Sequence, residues 1–265
     1  MDGQRPAASR AVRGGSPGRT LTSLTGDPIP PAEVEYLRRL LPPGVRLTAL
    51  DPAQVDTRSP HPAQAGACLP QIGGRSLHPA EAALVPRSDL LRKRQFIAGR
   101  LCARAALREI GAEAGPLLVR PDGSPDWPAD VRGSISHKPR LCIVAVGSAA
   151  AVGGLGIDLE PAQELPQAVW RSVLTDGEQA RISIGRIHHG RLEPRLIFSA
   201  KESYYKWYRS AGGLHDIGFH DVEVDFRGSE IRYHPREPLP TTFGRCVVGG
   251  KWLITITWSN PLNES

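Results

Sequence analysis

The chain has few cysteines, few aromatic residues and no long hydrophobic run. Its four cysteines lie at least 34 positions apart, with no C-x-x-C pair or Cys/His cluster, which argues against a zinc site or a thioredoxin-like motif. Sparse, unclustered cysteine is typical of proteins from reducing compartments. No apolar run approaches the roughly 18 residues of a membrane span, and the N-terminus lacks the apolar segment of a secretory signal. We therefore expect a cytoplasmic protein with no membrane partner.

The composition is that of a mildly basic globular protein. The 265 residues include 33 Lys+Arg and 27 Asp+Glu, a formal net charge of +6. Hydrophobic residues make up 40% and charged residues 23% of the chain, which is ordinary for a globular protein and excludes collagen-like or wholly disordered classes. The length indicates one or two domains. A chain of this size can bury a core without disulfides or a structural metal.

Three regions of the sequence differ in pattern. Residues 1–30 are rich in Gly, Pro and Arg without a hydrophobic period, so we predict a flexible basic tail. Residues 31–150 and 151–265 each mix helices with short strands, which predicts an α/β (α+β) protein with two similar-sized subdomains. The predicted helices are Pro31–Leu41, Ser76–Val85, Ser88–Ile110, Glu164–Ile184 and Leu196–Ser210, and the predicted strands are Val45–Leu50, Leu117–Arg120, Leu141–Val146, Gly154–Glu160, Val222–Phe226, Ile231–Tyr233 and Lys251–Trp258.

Two carboxylates stand at the end of a predicted buried strand. Asp158 and Glu160 are two residues apart, so on a strand their side chains point to the same face. Oxygen ligands of this kind suit Mg²⁺, which takes one or two carboxylates together with phosphates and water. A solvated pair of charges at a strand end is the simpler alternative.

The segment FSAKESYYKWY follows on a predicted helix. Glu202 and Lys206 are four residues apart, as an ordinary surface ion pair would be. In combination with the first two carboxylates, however, Glu202 would complete an octahedral site. Lys201 and Lys206 would then hold phosphate groups.

Two further features are basic or polar. The turn SISHKP at residues 134–139 carries His137, which can donate a hydrogen bond to an anion, although loop histidines are usually solvated. The helix Ser88–Ile110 carries Arg92, Arg100 and Arg104 within about 120° of one another on the helical wheel. This density of arginine suits a phosphorylated ligand, and a solvated basic face is the simpler explanation.

Taken together, these features resemble the 4'-phosphopantetheinyl transferases of the Sfp/EntD type. The segments RKRQFIAGRLCARAAL, GSPDWP, GSISHKP, GIDLE and FSAKESYYK occur in the family's order. Its central signature, G-I-D-x-E followed by W/F-x-x-K-E-S-x-x-K, has every defined position filled.

The resemblance implies two α/β subdomains with a pseudo-twofold relation and an active site in the cleft between them. Residues 31–150 would carry the coenzyme A-binding helix and the SISHKP loop, and residues 151–265 the metal site. The implied enzyme is a monomer that transfers the phosphopantetheine arm of coenzyme A to a serine of an acyl, aryl or peptidyl carrier protein. It would release adenosine 3',5'-bisphosphate and depend on Mg²⁺, with Mn²⁺ also open.

The resemblance also implies roles for individual residues. Glu202 would accept the serine proton, and Lys206 and His137 would assist it at the phosphates. The implied metal ligands are Asp158, Glu160 and Glu202, and the implied coenzyme A contacts are Arg92, Arg100, Ser136, His137, Asp158, Lys201 and Lys206, the turn Gly123–Pro125 with Gly123 and Ser124, and, as weaker candidates, Arg104 and Arg120.

The chain departs from the family pattern at Lys138, where a small polar residue is expected. The segment Leu165–Leu174 is our candidate for the carrier-protein surface, through Val169, Trp170, Arg171 and Val173, although an ordinary amphipathic helix would bury the same apolar groups.

Two alternative functions stay open on the sequence alone. One is a non-enzymatic, basic nucleic-acid-binding protein, although no known nucleic-acid motif occurs and no nucleic acid is expected as a partner. The other is a carrier-binding relative that has lost turnover.

Overall fold

The computed structural model describes residues 31–55, 57, 71–72, 75–113 and 115–261. The predicted tail over residues 1–30 lies outside the described residues. The helices are α1 (Pro31–Leu40), α2 (Pro79–Ala82), α3 (Leu90–Glu109), α4 (Trp170–Val173), α5 (Asp176–Ser183) and α6 (Glu193–Ser210). The strands are β1 (Arg46–Leu50), β2 (Gln71–Ile72), β3 (Arg75–Ser76), β4 (Leu118–Val119), β5 (Pro125–Asp126), β6 (Val131–Lys138), β7 (Leu141–Ser148), β8 (Gly154–Pro161), β9 (Val222–Arg227), β10 (Glu230–Pro235), β11 (Thr242–Gly249) and β12 (Trp252–Ser259).

The predicted mixture of helices and sheets is confirmed. Two antiparallel sheets carry the fold, one in the order β1-β7-β6 and one in the order β8-β12-β11-β10-β9. The division near residue 150 and the pseudo-twofold relation stay predictions. No helix in the described part of the chain is both long and apolar enough to cross a membrane.

Helix α3 packs on the three-stranded sheet. Ile97 and Leu101 of the helix join Val144 of β7 in one hydrophobic cluster. Asp89 caps the helix by accepting a hydrogen bond from the Arg92 amide at 2.9 Å. The helix stops before Gly111, whose φ of 75° favours glycine.

The strands β7 and β8 follow one another in the chain but belong to different sheets. Their apolar faces meet in a single hydrophobic cluster, which includes Ile143 from β7, Ile157 from β8 and Ile256 from β12. Because side chains alternate along a strand, the other face of β8 is free to carry Asp158 and Glu160 toward α6.

Serine side chains on β6 join the two sheets. The hydroxyl of Ser134 accepts a hydrogen bond from the Ile157 amide at 3.0 Å, and that of Ser136 accepts one from the Leu159 amide at 3.2 Å. These bonds satisfy the backbone donors on the edge of β8 that has no strand partner. The prediction of SISHKP as a turn is wrong, because its residues 134–138 belong to strand β6. The serine bonds fix this part of β6 beside the GIDLE strand.

The predicted helix over Glu164–Ile184 is wrong as a single element. The segment contains a short 3₁₀ turn, then α4, then α5. Thr175 explains the break, because its side chain and that of Glu178 form a capping box that starts a new helix. Strand β11, which the sequence analysis did not identify, lies between β10 and β12.

Glycine in the GIDLE strand allows α6 to lie directly against β8. A Cβ on Gly156 would stand 1.9 Å from the Ser203 carbonyl oxygen, so any side chain there would push the helix away. We expect Gly156→Ala to lower the free energy of unfolding by about 3 kcal/mol, through overpacking. Chemical denaturation measures the change.

A matched control is Gly115→Ala, because nothing lies within 4 Å of a Cβ at that position. It should change the free energy of unfolding by no more than about 0.5 kcal/mol. Equal stability of the two variants would contradict the close approach of α6 to β8.

Candidate functional site

A cleft of about 360 Å³ opens where β6, β8 and α6 meet. It brings together six residues that the sequence analysis selected from three separate segments. The lining residues are Ile135, Ser136, His137, Lys138, Asp158, Glu160, Phe198, Glu202 and Lys206.

Asp158 is the most heavily hydrogen-bonded carboxylate of the cleft. It is buried and accepts hydrogen bonds from Ser136 Oγ at 3.0 Å, Ser199 Oγ at 2.9 Å and Lys206 Nζ at 2.6 Å. These donors come from β6 and α6, so the position of the carboxylate is fixed from both sides. Charge-assisted bonds of this kind are stronger than bonds between neutral groups.

Glu160 lies two residues further along β8, between two cations. Lys138 Nζ stands 2.5 Å from Oε1, and Arg195 Nη1 stands 3.0 Å from Oε2. Arg195 also donates to the carbonyl oxygens of Gln163 at 3.2 Å and Glu164 at 3.0 Å. It therefore ties the end of β8 to the first turns of α6.

The sequence analysis missed Arg195. Its spacing was a usable signal, because Arg195 precedes Glu202 by seven residues, about two helical turns, and so lies on the same face of α6. The predicted helix begins at Leu196, one position after Arg195, whereas α6 begins at Glu193 and includes it.

Glu202 faces the cleft from α6 without a fixed partner. Its carboxylate makes no hydrogen bond or ion pair with any residue that the structure describes. Burial raises the pKa of Glu202 above its ordinary value, Lys206 opposes this shift, and Asp158 and Glu160 add to it through like charge. A positive charge placed beside Glu202 would stabilise its ionised form.

The structure does not gather the three carboxylates into one ligand set. Among the described residues, no three His, Cys, Asp or Glu side chains are close enough to hold a metal ion together. Glu160 forms ion pairs with Lys138 and Arg195. Asp158 and Glu202 still fit a hard cation, because both offer oxygen ligands and Glu202 forms no ion pair with another described residue.

His137 lies at the edge of the cleft as a neutral imidazole. Burial, with the nearby charges of Arg92 and Lys206, lowers its pKa to about 4. Arg92 Nη1 stands 3.4 Å from His137 Nε2, while the buried Nδ1 has no hydrogen-bond partner among the described residues. Arg92 and His137 thus bring two potential donors together where an anion could bind.

The arginines of α3 do not share one environment. Arg100 is 5% exposed, lies 4.5 Å from the centre of the Phe96 ring and donates to the Leu118 carbonyl oxygen at 3.4 Å. Arg104 forms an ion pair with the fully buried Glu81. The coenzyme A contact predicted for Arg104 is therefore not supported. Burial of two of these arginines also weakens the nucleic-acid alternative, which needs an exposed basic face.

A second cleft, of about 390 Å³, adjoins the first and shares Ile135 and Lys206 with it. Its lining includes Arg120 and the predicted turn residues Gly123 and Ser124. The turn is fixed by Asp122, which accepts hydrogen bonds from the Ser124 amide at 2.9 Å and from Arg209 Nη2 at 2.7 Å. Together the two clefts provide an elongated site.

Arg120 and Arg209 keep different partners beside the second cleft. Arg120 Nε pairs with Asp126 at 2.9 Å, and Arg209 reaches Asp122 from the last turn of α6. The Arg209–Asp122 pair thus links the two halves of the chain at the rim.

The phosphate contact predicted for Lys201 is wrong. Its ammonium donates to Glu178 Oε2 at 2.7 Å and to the carbonyl oxygens of Val173 at 2.8 Å and Phe219 at 2.7 Å. All three donors of the ammonium are thus used inside the protein, and the residue is 2% exposed. Lys201 holds α5 and the loop before β9 against α6.

The residues predicted to form the carrier-protein surface differ in their exposure to solvent. Val169 and Arg171 are exposed, as that prediction requires. Val173 is 4% exposed and belongs to the hydrophobic core, so its assignment to the surface is wrong. Trp170 is half-buried, with Nε1 donating to the Leu165 carbonyl oxygen at 3.1 Å.

Comparison with known proteins gives two family matches. Residues 80–147 match the model of the 4'-phosphopantetheinyl transferase N-terminal domain. Residues 154–256 match the model of the 4'-phosphopantetheinyl transferase superfamily. The second range contains β8 and α6, and the first contains α3 and most of the segment up to the end of β7.

Curated relatives agree with the family matches. The chain is 38% identical to the 4'-phosphopantetheinyl transferase Svp of Streptomyces mobaraensis over 184 residues, 66% of this chain and 73% of that protein. It is 35% identical to the 4'-phosphopantetheinyl transferase PptT of Mycobacterium tuberculosis over 56% of this chain and 64% of PptT. It is 33% identical to enterobactin synthase component D of Escherichia coli over 50% of this chain and 61% of that protein. With the site geometry and both family matches, these similarities lead to one conclusion: the chain belongs to the 4'-phosphopantetheinyl transferase superfamily.

Proposed function

We propose that this phosphopantetheinyl transferase moves the 4'-phosphopantetheine arm of coenzyme A to a serine hydroxyl of a carrier protein, releasing adenosine 3',5'-bisphosphate. The observation that carries the proposal is the convergence of Asp158, Glu202, Lys206 and His137 on one cleft. This cleft adjoins a second one, so a long anionic substrate can extend through both.

The cationic groups of the clefts are suited to the phosphates of coenzyme A. Arg92 and His137 offer donors at one end of the site, and Lys206 lines both clefts. Displacement at a phosphorus atom depends on charge neutralisation and alignment more than on a special nucleophile. Arg120, Gly123 and Ser124 would lie beside the nucleoside in the second cleft.

Glu202 is the group best placed to accept the serine proton. It faces the cleft and forms no ion pair or hydrogen bond with the described residues, so one of its oxygens is available to accept the proton. Mg²⁺, which Asp158 and Glu202 would hold, supplies neutralisation of charge on the phosphates when it is bound; Mn²⁺ takes the same oxygen ligands.

The carrier protein would approach beside α4. The exposed Val169 and Arg171 offer apolar and basic groups, which complement the acidic helical surface expected of acyl, aryl and peptidyl carriers. We propose that these carriers belong to secondary or fatty-acid metabolism. We propose a monomer that works in the cytoplasm, in keeping with its sparse cysteines.

Intact-mass spectrometry of an apo carrier protein tests the reaction. With coenzyme A and Mg²⁺ we expect the carrier to gain the mass of one phosphopantetheine arm, and EDTA should abolish the gain. Absence of a gain with acyl, aryl and peptidyl carriers would contradict the proposal. Coenzyme A binding by calorimetry would then indicate a relative without turnover.

Replacement of the proposed base should remove turnover and preserve the fold. We expect Glu202→Gln to lower kcat at least about 100-fold, since general-base catalysis contributes that much, with little change in thermal stability. The control is Glu164→Gln, whose carboxylate is exposed and outside the cleft. Equal rates for the two variants would remove Glu202 from the mechanism.

Substitution of Lys201 should mainly lower stability, whereas substitution of Lys206 should mainly lower activity. Lys201→Met leaves the buried Glu178 carboxylate without its partner, so we expect a loss of about 3 kcal/mol in the free energy of unfolding. Lys206→Met removes a half-buried charge from the cleft, so we expect a lower rate and a higher KM for coenzyme A with a smaller change in stability. Thermal melts and steady-state kinetics separate the two, and the reverse pattern would refute both assignments.

His137 makes stability depend on pH. Its folded pKa of about 4 lies below the ordinary 6.5, so between these values the unfolded chain binds a proton that the folded chain does not. The free energy of unfolding therefore falls as the pH falls through this range. Denaturant titrations from about pH 7 to about pH 4.5 should show a weaker pH dependence for His137→Asn. The exposed His215→Asn should keep the wild-type dependence, and a shared slope in all three proteins would contradict the burial of His137.

A further inference from the structure

We propose that Lys138 keeps Glu160 out of the metal site, so that this chain binds its divalent cation through two carboxylates, Asp158 and Glu202, and binds it weakly in the absence of coenzyme A. The inference rests on the proposed function, because it concerns the cation that the transfer would use. It assigns a specific effect to the one position of the SISHKP segment that departs from the family pattern.

Each oxygen of Glu160 already has a cationic partner. Lys138 Nζ lies 2.5 Å from Oε1, and Arg195 Nη1 lies 3.0 Å from Oε2. The Glu160 side chain is 5% exposed and that of Arg195 is 14% exposed, so the carboxylate has little freedom to turn. Arg195 is held in turn by the carbonyl oxygens of Gln163 and Glu164.

An ammonium group and a divalent cation compete for the same side of Glu160. Mg²⁺ binds carboxylate oxygens at about 2.0–2.1 Å. A cation at that distance from Oε1 would stand close to Lys138 Nζ, and like charges at short range repel strongly inside a protein. Lys138 must therefore leave Oε1 before Glu160 can become a ligand.

Asp158 differs from Glu160 because only one of its two oxygens has a cationic partner: Lys206 Nζ lies 2.6 Å from Oδ1. Ser199 supplies a neutral donor to Asp158 Oδ2 at 2.9 Å, which leaves a lone pair for a metal, and Glu202 has no partner among the described residues. Two carboxylates carry less negative charge than three, and a site with less negative charge binds a cation more weakly. The failure of the three acids to form one cluster agrees with this arrangement.

Titration of Mn²⁺ into the full chain without coenzyme A tests the inference, with free Mn²⁺ measured by electron paramagnetic resonance. Lys138→Met removes the ammonium and keeps the length of the side chain. We expect this variant to bind Mn²⁺ about tenfold more tightly than the wild type, because Glu160 becomes available as a ligand. Lys138→Arg keeps the charge and should leave the affinity within about twofold of the wild-type value.

Glu160→Gln, made in the wild type and in the Lys138→Met protein, distinguishes metal ligation by Glu160 from a general effect of its charge. Loss of one negative charge weakens cation binding in either protein, but loss of a ligand adds to this only where Glu160 binds the metal. We expect the substitution to weaken Mn²⁺ binding at least about fivefold more in the Lys138→Met protein than in the wild type. Thermal melts of all variants verify that they are folded.

Several results would overturn the inference. The first is a Mn²⁺ affinity of Lys138→Met that is equal to or weaker than that of the wild type. The second is a gain in Mn²⁺ affinity in Lys138→Arg as large as that in Lys138→Met. The third is a loss of Mn²⁺ affinity on Glu160→Gln that is the same in the wild-type and Lys138→Met proteins. Carrier modification is measured separately on the wild type. If the wild type modifies its carrier but Lys138→Met binds Mn²⁺ no more tightly, this inference alone is refuted. If the wild type neither binds Mn²⁺ nor modifies a carrier, the proposed function is refuted as well.

Discussion

The hydroxyl of Ser136 accepts a hydrogen bond from the backbone of β8 and donates one to the Asp158 carboxylate, and the geometry of the whole site depends on this junction. It joins a strand of the three-stranded sheet to the edge strand of the five-stranded sheet. Ser134 repeats the backbone contact two residues earlier. Since the two sheets share no backbone ladder at this edge, the serines set the distance between His137 on one side and the carboxylates on the other.

On the other side of Asp158, the position of the carboxylate depends equally on the close packing of α6 on β8. Gly156 lets the helix backbone approach, and Ser199 and Lys206 then reach the carboxylate from the helix. One small residue in the strand thus decides whether the helical half of the site is within reach of Asp158. The conformational cost of glycine in a strand is offset by this contact.

Charge in the cleft is balanced internally. Lys138 and Arg195 neutralise Glu160, and Lys206 neutralises Asp158. When an anionic substrate and a cation bind, the charged side chains of the cleft therefore exchange one ionic partner for another. These side chains are already partly removed from water. Preorganised groups of this kind need little rearrangement during the reaction. Glu202 is the exception, because it forms no ion pair with another described residue, which agrees with the proton-accepting role that we propose for it.

Sequence patterns located α3, α6 and β8, but not the strands β6 and β11. Alternation placed Asp158 and Glu160 on one face of a strand, and helical spacing placed Glu202 and Lys206 on one face of a helix, both as observed. Local pattern does not show which sheet a strand joins: β7 and β8 follow one another in the chain but lie in separate sheets. Capping by Thr175, which divides the predicted helix in two, depends on a contact with Glu178 that periodicity does not reveal.

Lys201 and Lys206 illustrate why site residues are harder to predict than elements. Five residues on a helix correspond to a rotation of about 140°, so the two side chains cannot reach the same ligand. Lys206 faces β8 and the cleft, whereas Lys201 faces α5 and enters the interior beside Glu178. Both are lysines in one motif, and only tertiary packing decides which of them faces the cleft and which is a buried structural charge. The same reasoning applies to Arg195, whose role follows from the face of α6 that it shares with Glu202 and not from its residue type.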